Sequence, residues 1–102
     1  MYNDPTEINL TEQQHRALDA LSVRGWMSLA SLGYAASNPI ISLYLPSCWA
    51  GWLGERVGRS LCKMGLVKQV YCTYYDKKIG KLNTWKDGYK ITGLGMDVLN
   101  IP

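Results

Sequence analysis

The order of apolar and polar positions divides the chain into segments with two different periods. Ala17, Leu18 and Leu21 recur at helical spacing behind a polar run. Ahead of them, Thr11 and Gln14 form a capping-box pattern, in which each side chain meets the other's backbone amide. Gly25 closes this first predicted helix. Trp26 and Met27 predict a very short strand. Ser28 then caps a second, short helix, "LASLGYAA", which stops before Asn38 and Pro39. The apolar stretch "NPIISLYLP", bracketed by prolines, fits either a short strand or a packed loop. Ser47 is expected to cap a third helix running to about Met64, with Gly65 as its left-handed stop.

Beyond Gly65 the period falls to two. "LVKQVYCTYY" has strong strand propensity, and alternation puts Tyr71 and Tyr75 on one face with Tyr74 on the other. "DKKIGKLNTWKDG" interrupts it with turn residues and lysines, "YKI" resumes a strand, and Thr92 caps a final short helix, "GLGMDVLN". The expected fold class is therefore α+β, in the order helix, helix, helix, strand, loop, strand, helix. With 102 residues, 47% apolar and 19% charged, the chain has the balance of one ordinary domain with a modest core. Residues 1–10 are read as an N-terminal tail and 11–102 as that domain.

The third helix carries the most information. Placed at about 100° per residue, its positions sort into three faces. Trp49, Leu53, Val57, Leu61 and Met64 form the expected core face. Trp52, Arg56, Arg59 and Lys63 form a basic stripe, and Gly51, Gly54 and Gly58 gather on a third side. Each interior glycine costs a helix about 1 kcal/mol relative to alanine, so three of them need a reason. Close approach of another backbone supplies one, within the domain in the first instance or across a dimer interface.

Charge sharpens the picture. The net charge is only +3, but residues 55–90 hold nine Lys and Arg against three acids, a local excess of +6. Such asymmetry suits a face that meets a polyanion, and it also suits a merely solvated surface. Lys77, Lys78 and Lys81 crowd the predicted turn. Tyr74 and Trp85 divide between hairpin packing and contact with a partner.

Ordered along the chain, "LTEQQHRALDAL", "WMSLASLG", "RVGRSLCKMGLVKQV" and "YKITGLGMDVL" resemble the winged helix-turn-helix superfamily of prokaryotic and phage transcription regulators. The resemblance spans roughly residues 10–100. It implies three helices followed by a two-stranded wing and a short C-terminal helix, with the third helix as the recognition helix. The stretch from Ala36 to Pro46 is longer than a tight helix-turn-helix connection, and no sensor domain accompanies the pattern. The implied function is sequence-specific binding of double-stranded DNA by a small cytoplasmic regulator, as a homodimer. Trp52, Arg56, Arg59 and Lys63 would meet the major groove, while Lys77, Lys78 and Lys81 hold phosphate. Gly51, Gly54, Gly58, Tyr74 and Trp85 are the candidate protein-interface residues. The alternative is a winged-helix interaction module that binds and blocks a host protein, similar to phage-encoded inhibitors.

Other chemistry is not expected. His15 is the lone histidine, and no His, Cys or carboxylate set has metal-ligand spacing. Cys48, Cys62 and Cys72 form no CxxC pair and stand beside no base, which predicts reduced thiols rather than nucleophiles. "GLG" at 93–95 lacks both the P-loop lysine and the spacing of a dinucleotide loop. The expectation is a protein without enzymatic activity, cofactor or metal. No apolar run approaches the ~20 residues that cross a bilayer, and the polar, acidic start is not read as a signal peptide.

Overall fold

Capping chemistry sets the limits of most elements in the computed structural model, which describes residues 8–100. Helix α1 (Glu12–Arg24) opens on the expected capping box: the Gln14 amide donates to Thr11 Oγ1 at 3.2 Å, and the Thr11 amide donates to Gln14 Oε1 at 2.9 Å. Gly25, at φ 85°, ends it. Strand β1 (Trp26–Ser28) leads directly into α2 (Leu29–Ala36), whose first turn is capped by the Ser28 hydroxyl. Most of the proposed tail lies outside the described residues.

The stretch between Asn38 and Pro46 is neither of the two expected forms. It contains one helical turn, α3 (Pro39–Ser42), capped by the Asn38 side chain and started by a proline whose missing amide costs nothing at that position. The Tyr34 hydroxyl donates to the Leu45 carbonyl at 2.9 Å and ties this segment back to α2. Helix α4 (Ser47–Lys63) follows. Its N-cap is Pro46, with no side-chain hydrogen bond, so Ser47 is the first helical residue rather than the cap.

Strands β2 (Val67–Asp76) and β3 (Lys81–Ile91) form a long antiparallel hairpin, and α5 (Gly93–Leu99) closes the described chain under a Thr92 cap. β3 begins well before the expected "YKI", within the stretch expected to be loop. A tight turn makes this possible. The Asp76 carboxylate accepts from the Lys78 amide, the Gly80 amide bonds the Asp76 carbonyl, and Gly80 takes φ 66°. The strands are therefore in register from Asp76–Lys81 onward, and exposed polar residues are no obstacle to a ladder. β1 adds a third strand, in the order β1-β3-β2, by pairing Trp26–Ser28 with Gly88–Lys90. Val70 pairs Gly88 but Tyr71 pairs Lys86, so Asp87 is an extra residue that bulges β3.

The α+β fold has one core. Ala17, Leu18 and Leu21 of α1, Leu32 and Ala36 of α2, Val57 and Leu61 of α4, and Met27, Leu66, Val67 and Tyr89 at the sheet are all buried together. Gln14 Nε2 donates to Ser60 Oγ and links α1 to α4 at the rim. No helix among the described residues is long and apolar enough to cross a membrane.

Candidate functional site

The orientation of α4 decides what it can present. Its buried residues are Ala50, Gly54, Val57, Gly58 and Leu61, so the face turned inward is centred on the glycines. Trp49, expected on the core face, is 60% exposed. The cause is close backbone approach rather than hydrophobicity. A Cβ at Gly54 would lie 1.8 Å from the Leu29 carbonyl oxygen, and one at Gly33 would lie 1.7 Å from that of Ala50. Helices α2 and α4 thus cross in backbone contact, which larger residues would prevent. Gly58 makes room instead for the ring of Tyr89, whose Cε2 would stand 2.2 Å from an added Cβ.

Gly54 and Gly58 are therefore covered within the chain, by α2 and by the Tyr89 ring, as the close-packing expectation had it. Gly51 is partly exposed, and a Cβ there would meet nothing within 4 Å.

With the glycines turned inward, Trp52, Arg56, Arg59 and Lys63 all face solvent and line an open depression of about 380 Å³ with Glu55 and Ser60. The Arg56 guanidinium lies 5.4 Å from the Trp52 ring centroid, a cation–π arrangement. Trp52 in turn meets Trp49 edge-on at 6.3 Å. Arg59 sits 3.6 Å from Glu55, one turn earlier on the helix.

Glu55 has closer partners on β3. Lys86 Nζ donates to Glu55 Oε1 at 2.5 Å, and the hydroxyl of fully buried Tyr89 donates to the same oxygen at 2.9 Å. The Lys86 ammonium also lies 5.5 Å from the Tyr89 ring centroid. Burial pushes the Glu55 carboxyl upward, but hydrogen bonds from Lys86 and Tyr89 and the nearby positive charges outweigh it and hold the group below its ordinary range. Lys86 is raised by its bond to Glu55 against its own desolvation. Tyr89 is raised by burial and by the carboxylate it faces. One carboxylate thus fastens the basic helix to the root of the hairpin. Its signal in the sequence was slight: Glu55 is the only acid in α4, placed within a basic stripe.

The hairpin carries the other candidates. Lys77, Lys78 and Lys81 are exposed at its turn, and Lys81 stands about 17 Å from Lys86 along the strand at ~3.3 Å per residue. They are therefore at the far end of the hairpin from the basic stripe, joined to it through the Lys86–Glu55 contact. Register and alternation put Tyr71, Thr73 and Tyr75 on one face with Leu82, Thr84 and Lys86. Tyr71, Tyr75 and Leu82 are more than half exposed. Tyr74 projects from the opposite face and accepts a hydrogen bond from Asn83 Nδ2. Trp85 lies in β3, paired with Cys72, and its side chain is outside the described ones.

Cys48 and Cys72 are exposed, Cys62 is half-buried, and all three are free thiols. Among the described residues no three metal-ligating side chains come together. Comparison with protein-family models, with curated proteins and with solved structures finds no match to this chain.

Proposed function

We propose that this chain is a small winged-helix protein that binds double-stranded DNA and regulates transcription by occupying its site. The observation that carries the proposal is the outward face of α4. Arg56, Arg59 and Lys63 are all exposed there against a single carboxylate, which Lys86 and Tyr89 already engage. Helices leading into a long hairpin and a closing helix support the winged-helix reading. The β2–β3 hairpin would be its wing.

In this reading α4 lies in the major groove. Arg56 and Arg59 present planar donor pairs to guanine O6 and N7, and Lys63 reaches phosphate. Trp52 holds Arg56 by stacking and so limits its rotamers before binding. The turn lysines contact backbone phosphate or the neighbouring minor groove. No bond is made or broken, and the effect is occupancy alone.

Fluorescence anisotropy with a labelled duplex tests this. Affinity should fall on a log–log plot against salt with a slope of about −0.9 per phosphate contact. Replacing Lys77, Lys78 and Lys81 by alanine should reduce the slope by about 3. Undetectable binding at low salt, or affinity unchanged by Arg56→Ala with Arg59→Ala, would sink the proposal.

A second reading, a module that binds and blocks another protein, is favoured by one specific observation: Tyr71, Tyr75 and Leu82 lie exposed on one hairpin face. It expects a protein captured by the wild-type chain to be lost with Tyr71→Ser and Tyr75→Ser, while Arg56→Ala leaves capture intact. Capture that survives the tyrosine changes would remove it.

A further inference from the structure

We infer that the tyrosine face of the β2–β3 hairpin binds single-stranded nucleic acid, stacking unpaired bases on Tyr71 and Tyr75 between two groups of cations. Gln69, Tyr71, Thr73 and Tyr75 alternate along β2 on the side that Lys86 and Tyr89 turn toward α4. Tyr71 and Tyr75 are 55% and 58% exposed. Four residues apart, they are separated by roughly 13 Å at ~3.3 Å per residue, so each ring is a platform of its own. Between them Thr73 and Thr84 join their hydroxyls at 3.0 Å across the strands. The floor of the face is thus polar where a protein interface would concentrate its apolar contacts. Separate rings on a polar floor suit bases, which stack one at a time and offer a π-face whatever their sequence.

Charge favours a polyanion as the occupant. Between Tyr71 and Lys86 the chain holds four lysines and one acid, Asp76, whose carboxylate is already engaged by the Lys78 amide at 2.9 Å. The cations bracket the two rings. Beyond Tyr75 stand the exposed Lys77 and Lys78, and the Tyr75 hydroxyl leans toward this turn, 3.8 Å from where a Gly80 Cβ would lie. Beside Tyr71, its register partner Lys86 and the exposed Arg59 approach the same Glu55 oxygen, at 2.5 and 3.6 Å. A phosphate backbone drawn from one group of cations to the other passes along both rings. A duplex cannot use these platforms, because its bases turn their faces to one another; unpaired bases can. The Tyr71 hydroxyl donates to Gln69 Oε1, which leaves the ring as the group on offer. Duplex binding by α4 is not required, and a strand on this face displaces the protein-capture reading of the same tyrosines.

Fluorescence anisotropy at low salt is the test, with a labelled oligothymidine of about ten nucleotides, within the usual span of a stacking groove. The wild-type chain should bind it, and an abasic strand of the same length should bind at least about tenfold more weakly. Tyr71→Ala and Tyr75→Ala should each weaken binding by about fivefold or more, the effect of losing one stacked base. Both side chains are exposed, so circular dichroism should be unchanged. Tyr71→Phe with Tyr75→Phe keeps the rings and should bind within about twofold of wild type. Lys77→Ala and Lys78→Ala should each reduce the salt slope by about 0.7. Deoxyuridine and uridine strands should bind alike, since stacking and charge do not read the sugar. A wild-type chain that binds no single strand at low salt would overturn the inference and leave the face to a protein partner. An abasic strand bound equally well would overturn it too, as would affinity retained with both rings removed, or binding confined to one sugar. None of these strands forms a duplex, so these readouts stand if duplex recognition by α4 fails, and their failure leaves that recognition untouched.

Discussion

Gly51 and Gly54 stand one turn apart on α4, and alanine should act on them with opposite sign. In both cases the helix gains about 1 kcal/mol of propensity when glycine is replaced. At Gly51 the new methyl group meets nothing within 4 Å, so that gain should appear almost whole. At Gly54 the methyl would lie 1.8 Å from the Leu29 oxygen, 2.8 Å from its carbonyl carbon and 2.9 Å from the Gly33 nitrogen. These are backbone atoms of a packed helix, so no side-chain rotation relieves the overlap. Ordinary contact begins near 3.4 Å, which requires α2 and α4 to part by roughly 1.5 Å, enough to forfeit much of the dispersion energy at the crossing. Leu32, Ala36 and Val57 would loosen with them. Overpacking of this kind costs about 1–3 kcal/mol, occasionally more. Against backbone the upper end applies, so the net loss should be about 2 kcal/mol after the propensity gain. For a domain of this size that lowers Tm by about 8–16 °C, while Gly51→Ala should raise it by about 4–8 °C. Urea unfolding followed by circular dichroism, with matched m-values, measures both. A Gly54→Ala protein as stable as wild type would refute the close-crossing account.

Further outcomes follow from the Glu55 cluster and the caps. Because the Glu55 carboxyl is held below its ordinary value of 4.5, its contribution is complete above that pH and is lost as acid protonates it in the folded protein. Lys86 and Tyr89 are raised above ordinary values of 10.5 and 10.0, so their contribution holds below pH 10 and fades in stronger alkali. Stability measured against pH should therefore fall at both ends, and Glu55→Gln should flatten the acid limb; an unaltered limb would contradict the assignment. Tyr89→Phe should cost about 1 kcal/mol, whereas Glu55→Ala should cost about 1–3 because a buried hydroxyl loses its acceptor. The two changes should be clearly non-additive in a double-mutant cycle, and simple additivity would separate the two side chains. Thr11→Ala should cost about 1 kcal/mol by removing the α1 cap; a loss near zero by thermal melting would count against that bond.

Local chemistry made much of the fold legible. The capping box at Thr11, the Ser28 and Thr92 caps and the left-handed Gly65 depend on neighbours within a few residues, so their patterns carry their outcomes. The rotation of α4 was harder to read. A helical wheel weighted by hydrophobicity ranks Trp49 above Gly54, but close packing against α2 favours the residue with no side chain. The start of β3 was missed because lysine and asparagine suggest a loop, whereas an exposed ladder needs only a partner strand in register. In the candidate site, the exposed stripe of Arg56, Arg59 and Lys63 followed directly from helical spacing. Its link to the hairpin did not, because Glu55 meets Lys86 and Tyr89 across more than thirty residues of sequence.

The bulge at Asp87 also sets how the hairpin tolerates change. On one side of it, β3 is clamped between β1 and β2; on the other, the strands pair only with each other as far as the turn. Side-chain direction along that outer portion follows a simple parity. Residues added or removed two at a time on each strand, at matched positions, leave every side chain on its face and alter only the length of the arm. A single unmatched residue would turn the tyrosine face over. The outer hairpin is thus an exchangeable cassette: its reach and tip composition can diverge while the packed end of the sheet stays constant.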